Sequence, residues 1–329
     1  MKKMLTGIQS TGTPHLGNIL GVIIPSINMA NNSKYSSFIF VADLHSLIQM
    51  KDIETIRHNT YQIAAAWLAF GLNTEKSIFY RQSDVSEVTE LAWYLNCFFP
   101  YQRLTLAHSF KREIKRKGKM NVGLFTYPML MAADILLYNA EVIPVGKDQL
   151  QHIEIARNIA SRLNKKISQK LFVLPKAFMS IKTGLVPGTD GKKMSKSQKN
   201  WINIFSSDEI LKKQIMSIHT DNKSLKEKKN PDKDCIMALY RLLAPLDRVE
   251  EMEKRYIKGG YGYLEAKKEL YECIIKRFSS ERKKFSSLVK DQSLLDRVFH
   301  LGAKKARHIA YERLNQIRKT FKFNSLSKI

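Results

Sequence analysis

The sequence predicts an α/β fold: an open sheet of parallel strands with helices on both faces, followed by an all-helical C-terminal part. Three observations carry this expectation. In the first half, short β-branched or aromatic runs alternate with longer amphipathic stretches. Polar, glycine-bearing clusters follow several of those runs, where an open α/β sheet binds its ligands. Beyond Trp201 the apolar spacing is helical to the end, broken by the turn Lys258-Gly259-Gly260-Tyr261-Gly262.

In chain order, Met4–Ile8 is the first expected strand, with a helix over Leu16–Ala30 entered through Pro14. Ser37–Ala42, an aromatic and β-branched run, is the second strand, with a helix over Ile53–Phe70. Ser77–Arg81 is the third, with a helix over Val85–Asn96. Between Leu104 and Asn121 the pattern breaks into Lys111-Arg112-Glu113-Ile114-Lys115-Arg116-Lys117-Gly118-Lys119, a basic insertion that suits either an RNA backbone or a solvated helix end. A helix over Pro128–Tyr138, the strand Val142–Val145 and a helix over Gln149–Asn164 complete the first part. Residues 183–200 are rich in Gly, Lys and Ser, which predicts a mobile loop. The expected division is 1–185, a mobile loop at 186–200, and a helical domain at 201–329.

At 329 residues the chain is long enough for a large and a smaller domain. Cys97, Cys235 and Cys273 form no CxxC pair and leave an odd count, so neither a disulfide framework nor a zinc site is indicated, and a reducing cytoplasm fits. The N-terminus runs at once into Gln9, Ser10 and Thr11, without the apolar stretch of a signal peptide or membrane span. A soluble protein is expected. The net charge of +25 attracts polyanions, and base composition also favours lysine in a chain of this kind. The surplus is concentrated at the end: residues 281–329 hold thirteen basic against four acidic side chains.

Three constellations carry chemistry. Gly7-Ile8-Gln9-Ser10-Thr11-Gly12-Thr13-Pro14-His15-Leu16-Gly17-Asn18 joins the first strand to a helix N-terminus, whose free amides and partial positive charge suit a phosphate chain. His15 and Asn18 share a face, and Gly17 lacks the Cβ that would hold a purine or ribose away. The same residues also make an ordinary strand-to-helix connection. Lys192-Lys193-Met194-Ser195-Lys196-Ser197 places compact ammonium groups and hydroxyls on a loop, as needed to neutralise charge on a leaving phosphate group. Tyr127, Met131 and Asp134 fall on one helical face, where an acid beside apolar surface needs a donor such as an indole N–H. The strand that follows runs into Gly146-Lys147-Asp148-Gln149, so two adjacent segments face one cleft.

His15-Leu16-Gly17-Asn18 and Lys193-Met194-Ser195-Lys196-Ser197 resemble the two signatures of class I aminoacyl-tRNA synthetases, in the family's order. Asn18 stands where the usual motif ends in histidine, a form typical of the tryptophanyl branch. Residues 127–152 are similar to that branch's pattern of an Asp-bearing helix, a strand and a Gly-Glu-Asp-Gln turn, with Lys147 in place of the glutamate. The resemblance spans most of residues 4–200 and implies a Rossmann-like catalytic domain followed by a helical domain that contacts the tRNA anticodon. It implies ATP-dependent joining of L-tryptophan to tRNA(Trp), with Mg²⁺ carried by the ATP, no metal held by protein side chains, and a homodimer. By that match Asp134 receives the indole N–H, Tyr127 and Gln149 help hold the amino group, Met131 packs on the ring, and His45 lines the pocket. Gln9, Ser10, Thr11, Gly17, Asn18, Gly146, Lys147, Asp148, Val186, Lys193, Met194, Ser195, Lys196 and Ser197 would contact ATP, with Lys193 and Lys196 acting on the leaving phosphates. Arg277, Lys283, Lys284, Lys304, Lys305 and Arg307 are candidate tRNA-phosphate contacts. A tyrosyl enzyme, a smaller nucleotidylyltransferase and an idle RNA-binding protein on the same scaffold are the alternatives.

Overall fold

The computed structural model describes residues 1–49, 52–107, 110, 111, 114, 121–146, 149–179 and 186–325. Five parallel strands, β1 (Lys2–Gln9), β2 (Tyr35–Ala42), β3 (Ser77–Arg81), β4 (Val142–Pro144) and β5 (Lys176–Phe178), lie in the order β3-β2-β1-β4-β5. The order reverses at β1, which makes the gap between β1 and β4 the switch point of the sheet. β1 and β2 pair along their whole length, from Lys2 with Tyr35 to Gln9 with Ala42. β1 and β4 pair only at Met4 with Val142, so their carboxyl ends are left apart and a cleft opens there.

Helix α1 starts at Leu16–Asn18, passes through a π-helical stretch at Ile19–Ile23, and continues as Ile24–Ala30. Pro25 has no N–H to give and stands two residues after the end of that stretch, a place where a helix commonly loosens. A short turn, α2 (Asp43–Ser46), follows β2, and α3 (Ile53–Ala69) begins where the Asp52 carboxylate accepts from Thr55 N at 3.2 Å. α4 (Glu87–Phe98) and α5 (Tyr101–Leu104) follow β3. α6 (Val122–Leu137) starts six residues before the expected Pro128, because the Asn121 side chain caps it through Leu124 N at 2.9 Å. Pro128 is therefore carried inside this helix rather than at its start. α7 (Leu150–Lys166) precedes β5, an edge strand the sequence pattern did not reveal: its three residues are all exposed.

The helical part comprises α8 (Asp208–Met216), α9 (Cys235–Leu243), α10 (Leu246–Lys258), α11 (Tyr263–Arg277), α12 (Ser279–Lys290) and α13 (Gln292–Thr320). It does not stand apart from the sheet. Ile202, Leu211, Ile236, Leu270 and Phe299 share one apolar core with Met4, Ile39 and Trp67, and Ala306, Ala310 and Leu314 pack with residues of the other sheet face. Arg277 and Arg307, two candidate RNA contacts, are committed within the protein: Arg277 donates to Leu243 O, and Arg307 pairs with Glu87 at 3.2 Å. Lys283, Lys284, Lys304 and Lys305 are exposed. Of the basic run 111–119, only Lys111 and Ile114 lie within the described residues. No helix among them is long and apolar enough to cross a membrane.

Candidate functional site

A cavity of about 910 Å³ occupies the cleft at the carboxyl edge of the sheet. Thr6, Gly7 and Gln9 of β1, Pro144 and Gly146 at the end of β4, and His45 after β2 all line it, as the switch-point geometry requires. Its two ends differ in chemistry.

One end is basic. Lys193 and Lys196 line it together with Thr11, Gly12, His15, Gly17 and Asn18. His15 and Asn18 form a reciprocal cap at the start of α1: Asn18 N donates to His15 Nδ1 and His15 N donates to Asn18 Oδ1, both at 3.2 Å. Burial, then the charges of Lys196 and Lys193, lower the His15 pKa to about 4, so the ring is neutral and free to accept. The described part of the expected mobile loop is a hydrogen-bonded hairpin: Pro187 bridges Lys193, and the Asn200 side chain holds Ser195 N and Lys193 O. It lies on the phosphate-type turn. Met194 is buried with its Sδ 3.3 Å from Gly17 N, and Lys196 Nζ donates to Thr11 O at 3.2 Å. Gly12, at φ 114°, leaves the room: a Cβ there would stand 3.0 Å from Lys196 Nζ. A Cβ at Gly17 would meet the His15 ring and Met194, so within the chain this glycine serves that packing. Burial lowers the Lys196 pKa to about 8.

The other end is apolar with one carboxylate. Asp134, 3% exposed, points from α6 into the cavity between Tyr127 and Met131. His45 Nε2 donates to its Oδ2 at 3.1 Å, and Gln82 Nε2 lies 2.9 Å from both oxygens. Burial pushes its carboxyl up, while His45 and Gln82 oppose that by bonding the charged form. The His45 ring packs on Tyr127 with centroids 4.6 Å apart, Tyr127 packs on His152 at 5.1 Å, and His152 Nδ1 meets Gln149 Oε1 at 2.9 Å. A connected row thus runs from Asp134 to Gln149.

The structure brings Gln9, Thr11, Gly17, Asn18, Gly146, Val186, Lys193, Met194, Ser195 and Lys196 onto one cavity with Asp134, Tyr127, Met131, Gln149 and His45. Ser10 is a correction. It is fully buried behind the turn, its N–H donates to Ser46 Oγ at 2.7 Å, and its hydroxyl meets Thr60 Oγ1 at 2.7 Å. Those bonds hold the turn against α2 and α3 instead of facing the cavity. Ser197 is likewise not among the lining residues, and its hydroxyl lies 3.0 Å from that of Ser195. Lys147 and Asp148 lie outside the described residues. Gln82 and Thr60 sit in none of the motifs, and His152 closes the 127–152 stretch without a role that the stretch itself assigns. Gln82 could have been found as the polar residue directly after β3 at the ligand edge of the sheet.

The tRNA synthetases class I (W and Y) family matches residues 1–279. A tryptophan–tRNA ligase of Fusobacterium nucleatum is 42% identical over 316 residues, covering 96% of each chain. A crystal structure of tryptophanyl-tRNA synthetase from Campylobacter jejuni complexed with ADP and tryptophan matches at 40% identity with a TM-score of 0.91, covering 98% of this chain and all of that one. Its counterpart from Mycoplasma pneumoniae matches at 28% identity with a TM-score of 0.84. The phosphate-type turn, the lysine loop docked on it and the acid-floored pocket thus occur on a chain that belongs to the class I tRNA synthetases of the W and Y group.

Proposed function

We propose that the chain is a ligase that joins L-tryptophan to its tRNA at the expense of ATP, through a tryptophanyl-adenylate. The carrying observation is Asp134, a buried carboxylate at the apolar end of a cavity whose other end carries Lys193 and Lys196. An ionised carboxylate is an acceptor with about four lone-pair sites. His45 and Gln82 supply three contacts to it, which leaves room for an indole N–H arriving from the cavity. A phenol in place of the indole would bring a group that both donates and accepts to a site built around an acceptor.

In the first step the tryptophan carboxylate attacks the α-phosphorus of ATP in line, the P–O bond to the β-phosphate breaks, and diphosphate leaves. The nucleophile is ionised at neutral pH, so no general base is needed. Lys193 and Lys196 meet the charge on the leaving group, and Gln149 and Tyr127 orient the amino acid. Among the described residues Asp134 is the sole acidic side chain lining the cavity, which suits a Mg²⁺ that arrives on the nucleotide. In the second step a terminal ribose hydroxyl of tRNA attacks the acyl carbon and AMP leaves. Exposed Lys283, Lys284, Lys304 and Lys305 suit the tRNA backbone, and the exposed Trp93, Tyr101 and Leu106 suit burial against a second copy of the chain.

The test is exchange of labelled pyrophosphate into ATP by the purified protein without tRNA, with tryptophan and tyrosine in parallel. Exchange with tryptophan alone is expected. Exchange with tyrosine instead would reassign the pocket, and silence with both would leave an RNA-binding protein.

A further inference from the structure

The Asp134 carboxylate is held by an amide as well as by its histidine partner. Gln82, 1% exposed, sits in the 3₁₀ turn Gln82–Asp84 directly after β3, and its Nε2 reaches both carboxylate oxygens at 2.9 Å. The amide cannot be turned end for end without loss, because its Oε1 accepts from His45 N at 3.3 Å. His45 offers a single bond to Oδ2, and its Nδ1 is buried without a partner, so the ring proton belongs on Nε2. Oδ1 thus depends on Gln82 alone among the described residues. The three side chains come from the ends of β2 and β3 and from α6, and they meet where the cavity ends.

We infer that Gln82 is the positioning residue for the specificity of this pocket: it holds the Asp134 carboxylate ionised, and in one orientation, for a ring N–H. The inference rests on the reading of Asp134 as the partner of the amino-acid ring. A buried acid loses its charge unless donors stabilise the charged form. Without the amide, Oδ1 is left unsatisfied and the carboxyl group is free to rotate about its last bond or to take up a proton. Either change weakens it as an acceptor for an N–H. A ligand with no N–H at that position loses nothing, because it makes no bond there. Gln82 therefore acts on the difference between two ligands, whereas a tie that merely joined the ends of β2 and β3 would affect both alike.

The experiment compares L-tryptophan with β-(3-benzothienyl)-L-alanine, in which sulfur replaces the ring N–H, by pyrophosphate exchange on wild type, Gln82→Met and Gln82→Glu. Met keeps the length and volume without a donor, while Glu keeps the shape and sets a second carboxylate against the first. In wild type, KM for the analogue should exceed that for tryptophan by about tenfold or more. In either variant the tryptophan KM should rise by about tenfold while the analogue KM moves by less than about threefold, so that the preference collapses. An unchanged preference in both variants overturns the inference, and so does an equal loss for both amino acids. Failure of both variants to give a cooperative thermal unfolding transition also overturns it, by assigning Gln82 to the core; one folded variant is enough to decide. A wild type with no preference for the N–H would instead sink the reading of Asp134 itself.

Discussion

Lys196 is asked to carry a positive charge, yet it is seated where burial lowers its pKa to about 8. Its charge is therefore present at neutral pH and lost as the pH rises through about 8, far below the value of 10.5 at which an unperturbed lysine titrates. The kcat/KM for ATP in pyrophosphate exchange reports the free enzyme, and it should fall above pH 8. Replacing the side chain should make the same point without pH. Lys196→Ala is expected to lower the activation rate about a hundredfold or more, the usual effect of removing one group aimed at developing charge. Tryptophan binding, some distance away at Asp134, should change by less than about threefold. A single-turnover measurement beside a tryptophan titration separates the two, and unchanged activation would remove Lys196 from the reaction. That Lys193, Lys196, Tyr127, Met131 and Asp134 line one cavity is legible from charge, spacing and an acid placed on an apolar face. Ser10 and Gln82 were not legible for a common reason. Whether a polar side chain faces a ligand or a neighbouring element depends on what stands behind it, and Thr60, Ser46 and Asp134 are far off in the chain.

At the scale of the element, the start of α1 depends on a histidine used as a cap. His15 Nδ1 can accept from Asn18 N only while the ring is neutral, and burial beside Lys196 and Lys193 keeps it so down to about pH 4. In the unfolded chain the same ring takes up a proton near pH 6.5. Between these two values the unfolded state binds more protons, so the stability linked to His15 is fully present above pH 6.5 and is lost as the pH falls towards 4. The shift corresponds to about 2 kcal/mol between pH 7 and pH 5. Urea unfolding at the two pH values should show that loss in wild type. His15→Asn, which retains a capping acceptor that does not titrate, should show a flatter pH dependence. An identical slope in the variant would place the titration elsewhere. Elements themselves were read well where they are long and apolar, as at β2 or α3, and poorly where they are short and exposed, as at β5. Pro128 reads as a helix start signal, whereas the Asn121 cap sets the true start of α6.

At the scale of the whole molecule, α13 crosses β3 so closely that only glycine fits between them. A Cβ on Gly302 would lie 1.7 Å from Phe79 O and 2.6 Å from Phe79 C, both backbone atoms that cannot rotate away. No pattern in the sequence announces this, since a glycine within a long helical stretch reads locally as a weak point. Intrinsic propensity alone would favour Gly302→Ala by up to about 1 kcal/mol. The overlap opposes it by about 1–3 kcal/mol or more, because helix and strand must part to admit the methyl group. The overlap should win, with a thermal midpoint lower by about 2–4 °C. The effect should also reach the pocket. Phe79 lies three residues before Gln82, and Gln82 holds Asp134, so a shift of β3 disturbs the carboxylate from behind. The tryptophan KM of Gly302→Ala should therefore rise while its ATP KM stays close to wild type, because the turn after β1 and the lysine loop are anchored on other elements. A midpoint equal to or above that of wild type would mean that α13 is not fixed against the strand, and equal losses of tryptophan and ATP affinity would mean that the disturbance is not channelled through β3.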